Sequence, residues 1–135
     1  MDQPPQAVAG PEAPVEETEL PRTLNAARRA RRVIDEHLRA HVGRRTLEDV
    51  KIIASELVNN AVLHGEGRIT LRTQLRAGLV RVEVVDEGTD NTPEIRESAG
   101  PAHPGGRGLR IVESLSKRWG TFEGTTHVWA DVPVA

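Results

Sequence analysis

The fold is decided by the stretch Ser55-Glu56-Leu57-Val58-Asn59-Asn60-Ala61-Val62-Leu63-His64-Gly65, which places a carboxylate and a carboxamide four residues apart in an apolar run. On a helix, positions i and i+4 lie on the same face. Glu56 and Asn60 would then flank the apolar stripe that faces the core, whereas Asn59 is expected to face solvent. Such a pair can ligate a hard cation or orient a water, or it can be an ordinary helix-edge pair that bonds its neighbours.

The composition indicates one domain with an aliphatic core. The chain has 135 residues, no cysteine and a formal net charge of -2, and its aromatic residues are Trp119, Phe122 and Trp129. The negative charge disfavours a general nucleic-acid binder. The absence of cysteine excludes disulfides and cysteine metal sites and fits an intracellular, cytoplasmic protein. No apolar run is long enough for a membrane span.

The N-terminal residues 1–19 are rich in Pro, Ala and Glu and lack the basic start and apolar centre of a secretory signal. We predict a disordered tail there and one domain over residues 20–135. Apolar residues from Leu24 to about His41 recur at helical spacing and predict the first helix. Its arginines lie mostly off the apolar stripe, which fits a solvated face or, alternatively, a surface for an acidic partner.

Alternating segments predict a β-hairpin from Arg68–Arg76 and Leu79–Asp86, and Thr126–Val134 predicts a last strand. Asp86 shares its phase with the valines of its strand, so its carboxylate is expected to point toward the helices. A buried carboxylate needs a donor from a ligand, a water or a side chain. The alternative is that Asp86 caps the loop that follows its strand.

The ends of the other helices are also marked in the sequence. A capping-box-like start predicts that the helix with Glu56 runs from Thr46 to about His64. A loop without periodicity over residues 89–104 leads to Gly105-Gly106-Arg107-Gly108, after which a helical pattern resumes and closes at Trp119-Gly120. Backbone N–H groups at a glycine-rich helix start can bind an anion, although glycines before a helix are common.

These elements predict an α+β fold, a two-layer α/β sandwich in which helices cover one face of a mixed, mostly antiparallel sheet. Glu56, Asn60, Asp86 and the glycine turn would then gather at one pocket. The amide can ligate magnesium, the glycine N–H groups can hold phosphate, and the inward acid can accept from the exocyclic amine of adenine. The sequence therefore predicts a nucleotide site that lacks a phosphate-loop lysine motif.

Three motifs in order resemble those of the histidine-kinase-like ATPase superfamily (GHKL, Bergerat fold). The stretch Ser55–Gly65 resembles its N box, Val85–Gly88 its first glycine box and Gly105–Val112 its second. Leu115–Gly120 and Val128–Pro133 resemble one branch in particular, the small anti-sigma-factor serine kinases of the RsbW type. The resemblance extends over nearly all of the chain except the tail.

The resemblance implies a role for each motif residue. Asn60 would ligate Mg²⁺, Glu56 would be the general base, and Asp86 would recognise the adenine amino group of ATP. Gly88 would let the chain pass close to the base. The phosphates would be held by Gly106, Arg107, Gly108 and Leu109.

Two positions depart from the family pattern. Asp90 stands where many relatives have a second glycine in the first glycine box, so the loop there can differ. His127 stands where many relatives have a threonine that supports the adenine-binding acid. Strand parity makes Thr126 the expected substitute, because it shares the phase of Val128.

The resemblance implies a switch kinase that phosphorylates a serine of an anti-anti-sigma (STAS-type) partner, otherwise sequesters a sigma factor, and can form a homodimer. The alternative is a non-catalytic module, in which bound nucleotide sets the shape of a partner-binding face without phosphoryl transfer. A third class, a nucleic-acid-contacting regulator that uses the arginine-rich helix, is disfavoured by the negative net charge.

Overall fold

The computed structural model describes residues 15–88, 104–122 and 126–134, and this part of the chain forms one five-stranded sheet and three helices. The strands are β1 (Glu16–Leu20), β2 (Ile69–Arg76), β3 (Leu79–Asp86), β4 (Arg118–Phe122) and β5 (Thr126–Pro133). The helices are α1 (Ala26–Leu38), α2 (Arg44–His64) and α3 (Pro104–Leu115). The predicted α+β fold class is confirmed.

The described strands pair antiparallel throughout, in the order β1-β2-β3-β5-β4, so the sheet is not mixed. The predicted hairpin of β2 and β3 turns at Gly78, whose φ of +83° lies in the left-handed region that glycine adopts without a Cβ penalty. β5 then pairs with the other side of β3. This register sets Asp86, at the end of β3, opposite Thr126.

The helices cover one face of the sheet and enclose an aliphatic core. Burial alternates along β3, where Val80, Val82, Val84 and Asp86 are the buried positions. The parity prediction for Asp86 therefore agrees with the structure. The core stripe of α2 consists of Leu47, Val50, Ile53, Ala54, Leu57, Val58 and Ala61.

The face of the sheet away from the helices carries charged and aromatic side chains. Asp131 of β5, only 1% exposed, accepts hydrogen bonds from Arg81 at 2.7 and 2.9 Å and from Arg118 at 2.9 Å. The guanidinium of Arg81 also stacks over the ring of Trp129, 4.3 Å from its centroid. The charges on this face are thus largely satisfied within the sheet.

Both helix starts differ from the predictions. α1 begins at Ala26, and Leu24 is 92% exposed outside it. α2 begins at Arg44 with Gly43 as its N-cap, without a side-chain cap bond. Thr46 is buried inside the first turn, where its hydroxyl lies 3.5 Å from the main-chain oxygen of Pro133, so it contacts the end of β5 and does not cap the helix.

Two strands differ from the sequence predictions: the sequence indicates a short edge strand at Leu20-Pro21-Arg22, whereas β1 ends at Leu20, and it predicts no strand at the position of β4. Most of β1 falls in the predicted tail, so the sheet includes residues before residue 20; residues 1–14 lie outside the described residues. β4 contains Trp119 and Gly120, which were predicted to close the third helix; α3 ends at Leu115. Both are edge strands.

None of the helices in the described part of the chain is long and apolar enough to cross a bilayer.

Candidate functional site

Glu56 and Asn60 lie one turn apart on α2, and both are half-buried. Asn59, between them in sequence, is exposed as predicted. Among the described residues, neither Glu56 nor Asn60 has a side-chain hydrogen bond or ion pair. The alternative of an edge pair that bonds its neighbours therefore finds no support in this part of the chain, and the two side chains are available to a ligand.

The end of α2 packs directly on Asp86, which is 7% exposed. Gly65 caps the helix by donating its N–H to the main-chain oxygen of Ala61 at 2.9 Å. A Cβ built on Gly65 would overlap Oδ2 of Asp86 and lie 2.5 Å from its Cγ. The structure thus brings together the last residue of the Ser55–Gly65 stretch and the predicted adenine acid, in a contact that excludes any side chain at position 65.

Gly88 completes the surroundings of Asp86 on the other side. Its N–H donates to Oδ1 of Asp86 at 2.8 Å, and a Cβ on Gly88 would lie 2.6 Å from the backbone nitrogen of Glu66. Asp86 therefore faces the helices and also accepts the hydrogen bond that the loop-cap alternative predicts, while a ligand donor to this carboxylate stays a prediction.

The turn after α2 interlocks with the turn after β3. The N–H of Glu87 donates to the main-chain oxygen of Glu66 at 2.9 Å, and the N–H of Arg68 donates to Oε1 of Glu87 at 3.0 Å. Gly67 has φ +70°, and a Cβ there would overlap the Glu87 carboxylate. These contacts fix the position of Asp86 relative to α2.

The register of β5 distinguishes Thr126 from His127. Thr126 pairs with Asp86 and His127 pairs with Val85. Neighbouring residues of a strand point to opposite faces, so His127 lies on the face away from the helices, with Nε2 3.2 Å from Oε1 of Glu83. Burial alone would raise the pKa of Glu83, but hydrogen bonds from His127 and Arg72 hold that pKa below its ordinary value.

The predicted glycine turn forms the start of α3 and not a loop before it. The N–H groups of the first three helical residues have no intrahelical partner, and in α3 these residues are Pro104, which has no N–H, Gly105 and Gly106. Arg107, Gly108 and Leu109 follow, where N–H groups bond to the carbonyl four residues back. The side chain of Leu109 is 1% exposed in the core. Asp90 and the predicted loop lie outside the described residues.

A magnesium ion at this site would depend on few protein ligands. The described residues contain no cluster of three or more His, Asp or Glu side chains that could hold a metal. Mg²⁺ commonly keeps several waters and takes its remaining ligands from one or two side chains and substrate phosphates. The half-buried amide of Asn60 fits such a site.

Two contacts at the site were not predicted from the sequence. Gly65 follows the predicted helix end at about His64, so the sequence indicates a helix stop there and no contact with Asp86; its position at the end of the Ser55–Gly65 stretch was the available signal. Arg22 donates to main-chain oxygens of α2 and of Gly67. No sequence pattern indicates this arginine, because main-chain carbonyls far along the chain accept its bonds.

The fold and the site define a two-layer, nucleotide-binding type of domain, with a polar pair on a central helix, an inward acid at a strand end and a glycine-started helix. The chain belongs to the family of histidine kinase-like ATPase domains, whose profile matches residues 20–130. Membership in this family implies ATP binding and a kinase-like, regulatory role in general terms.

A solved structure supports the branch within that family. The chain is similar to the RsbU and RsbW domains of Rv1364c from Mycobacterium tuberculosis, with a TM-score of 0.63 and 25% sequence identity. The match covers 89% of this chain and 31% of that one, so this chain spans about a third of the larger protein. No curated protein matches the sequence. The RsbW-like resemblance is confirmed.

Proposed function

We propose that this protein is an anti-sigma-factor serine kinase of the cytoplasm. It transfers the γ-phosphoryl group of ATP to a serine of an anti-anti-sigma (STAS-type) partner, and in its other state it sequesters a sigma factor. The observation that carries the proposal is the half-buried pair Glu56 and Asn60 on the helix that ends on Asp86. Similarity to a protein with RsbU and RsbW domains supports a role in partner switching.

Asp86 would select adenine. Its buried carboxylate can accept a hydrogen bond from the exocyclic amine of adenine, whereas guanine presents a carbonyl oxygen at that position and would be repelled. Gly65 and Gly88 pack directly on this carboxylate, and neither carries a side chain that would displace it. Thr126, opposite Asp86 on β5, would support the acid.

Asn60 would ligate Mg²⁺, which screens the phosphate charges when bound. The N–H groups of Gly105 and Gly106, at the positive end of α3, would hold the phosphates; Arg107, Gly108 and Leu109 would contribute less, because their N–H groups bond within the helix. Glu56 would accept the proton of the attacking serine hydroxyl. The serine oxygen bonds to the γ-phosphorus as the bond to the β-phosphate oxygen breaks, which gives phosphoserine and ADP.

A non-catalytic nucleotide-dependent binding module is the second candidate. One observation favours it: no described residue hydrogen-bonds the Glu56 carboxylate, so none orients it toward a substrate hydroxyl. Nucleotide would then set the shape of a surface that binds the partners. The homodimer expected of this branch is compatible with either function, and sedimentation of the purified chain would measure it.

Phosphoryl transfer separates the two candidates. The purified chain is incubated with γ-labelled ATP, Mg²⁺ and STAS-type proteins from the same cell. We expect label on a partner serine, and we expect Glu56→Gln to abolish transfer while ATP binding persists. Glu48→Gln is the matched control, since Glu48 lies on the same helix with a side chain 58% exposed. Bound ATP without transfer to any partner would contradict the kinase, and partner regulation that survives Glu56→Gln would favour the binding module.

A further inference from the structure

Arg22 joins the segment after β1 to the end of α2. Its Nη1 donates to the main-chain oxygens of Ala61 at 2.6 Å and Val62 at 3.1 Å, and its Nε donates to that of Gly67 at 2.9 Å. Carbonyls in the last turn of a helix carry the negative end of the helix dipole, and each carbonyl oxygen has two lone pairs, so the Ala61 oxygen accepts from Arg22 as well as from the N–H of Gly65. A guanidinium at this end is therefore stabilised by three charge-assisted hydrogen bonds.

The three acceptors of Arg22 lie on both sides of Gly65 along the chain. Gly65 is the residue in contact with the Asp86 carboxylate, and Gly67 is the residue that packs on Glu87. A single side chain thus spans the ends of the segment that touches Asp86. Arg22 is one contact away from the predicted adenine acid, although it comes from a different part of the sequence.

We propose that Arg22 is a positioning residue of the nucleotide site. By joining the last turn of α2 to the turn at Gly67, it holds Gly65 against Asp86 and so sets the selectivity for adenine. This inference rests on the proposed ATP function of the same site. We call this set of three hydrogen bonds the Arg22 clamp.

The position of Arg22 in the chain also couples the clamp to the pairing of β1. Arg22 follows Leu20, the last residue of β1, by two positions, and Leu20 is buried and pairs with Ile69. Pairing of β1 on the edge of the sheet therefore brings Arg22 to α2.

A purely structural role for Arg22 makes a different prediction. If the guanidinium only caps α2, its loss lowers the melting temperature and changes ATP and GTP binding alike. If it positions Gly65 against Asp86, its loss also reduces the preference for ATP over GTP, because Asp86 is the group that distinguishes the bases. The ratio of the two affinities therefore separates a positioning role from a stabilising one.

The test uses the full chain with Arg22→Gln and two controls. Arg29→Gln makes the same change at an exposed position of α1, and Ile34→Val creates a small core defect that lowers stability away from the site. Calorimetric titration with ATP and with GTP, each with Mg²⁺, gives the affinities. We expect Arg22→Gln to weaken ATP binding roughly tenfold, as loss of an outer-shell partner does, and to lower the ATP-to-GTP ratio. Both controls should retain the ratio.

Arg22→Lys tests the geometry of the clamp. Lysine keeps the charge but donates from a single nitrogen, so it cannot reach both the helix carbonyls and Gly67 as the planar guanidinium does. We expect Arg22→Lys to recover part of the stability lost in Arg22→Gln and little of the base preference. Full recovery of the ATP-to-GTP ratio by lysine would show that charge alone suffices and would overturn the clamp.

Amide hydrogen exchange tests the clamp without nucleotide. The N–H of Gly65 donates to the main-chain oxygen of Ala61, and the N–H of Glu87 donates to that of Glu66, each at 2.9 Å. In Arg22→Gln these amides should exchange faster, while that of Val82 in the central strand should not change. Unchanged exchange at both turns, or an unchanged ATP-to-GTP ratio, would overturn the proposal. If the unaltered chain bound no ATP, the proposed function would fail, and the positioning role of Arg22 at a nucleotide site would fail with it. Faster amide exchange in Arg22→Gln would in that case still show that Arg22 holds the turn at Gly65.

Discussion

Gly65 and Asp86 are in contact at the end of α2, and the contact leaves no space for a side chain at position 65. The backbone of Gly65 is extended, with φ -96°, a conformation that any residue can adopt. Glycine is therefore required by the close approach to Asp86 and not by the backbone conformation. The helix that carries the polar pair is therefore held against the strand-end acid by direct packing. The separation between the predicted adenine acid and the predicted magnesium ligand follows from this packing.

Gly65→Ala should weaken ATP binding roughly tenfold, because the added methyl group displaces the Asp86 carboxylate and overpacking of this kind costs about 1–3 kcal/mol. Calorimetric titration with ATP and Mg²⁺ measures the change. Gly43→Ala is the control, since a Cβ on Gly43 has no atom within 4 Å. Equal ATP affinities for the two variants would show that the contact does not control the site.

The central elements could be predicted because their signals are local. The helical spacing in α2, the alternation in β2 and β3 and the phase of Asp86 are properties of adjacent residues, and each agrees with the structure. The edge strands have no such signal. β1 contains three glutamates in five residues, and it is held by pairing with β2 and by ion pairs such as that of Glu17 with Arg72 at 2.6 Å.

β4 could not be predicted for the same reason. Trp119-Gly120 is a common end for a helix, but Gly120 here packs beside the ring of Trp129, so close that an added Cβ would be 3.1 Å from it. Nε of Arg118 donates a hydrogen bond to Oδ2 of Asp131, on the neighbouring strand, at 2.9 Å. These contacts join residues distant along the chain. The role of Arg22 at the site could not be predicted for the same reason, because its acceptors are main-chain oxygens, which every residue possesses.

Two adjacent isoleucines of α2 should differ widely in their effect on stability. Ile53 is fully buried, so Ile53→Ala should lower the free energy of unfolding by about 2–5 kcal/mol. Ile52 is 41% exposed, and Ile52→Ala should change it by less than about 1 kcal/mol, since alanine is also the better helix former. Urea unfolding followed by circular dichroism measures both. Similar losses would mean that the core face of α2 is assigned incorrectly.

The pH dependence of stability should show the contribution of Asp131. Burial alone would raise the pKa of this carboxyl, but hydrogen bonds from Arg81 and Arg118 outweigh burial and hold the pKa below its ordinary value. A carboxyl whose pKa is lower in the folded state stabilises the protein above its unfolded pKa of about 3.9. That stabilisation is lost as the pH falls through the folded pKa.

Asp131→Asn should therefore lower the free energy of unfolding by about 3 kcal/mol at neutral pH, because it leaves Arg81, whose side chain is 12% exposed, without its carboxylate. Below a pH of about 4 the difference between the variant and the unaltered chain should shrink. Urea unfolding at a series of pH values measures it. A difference that stayed constant from neutral to acid pH would contradict the ionic role of Asp131.

Asn60→Ala should remove most of the dependence of ATP affinity on magnesium, because the amide oxygen of Asn60 is the proposed protein ligand of the ion. We expect ATP binding at saturating Mg²⁺ to weaken by about tenfold, which corresponds to ~1.4 kcal/mol. Binding in the presence of a chelator should change little. The measurement is an ATP titration repeated over a range of Mg²⁺ concentrations.

Asn59→Ala provides the matched control, since Asn59 is the same residue type, one position earlier on the same helix, and it is exposed where Asn60 is half-buried. Both substitutions replace asparagine by alanine in a helix interior, so their effects on helix propensity cancel in the comparison. Asn59→Ala should retain the full response to Mg²⁺. If both variants kept it, Asn60 would not be the magnesium ligand; if both lost it, the effect would come from the helix and not from the amide of Asn60.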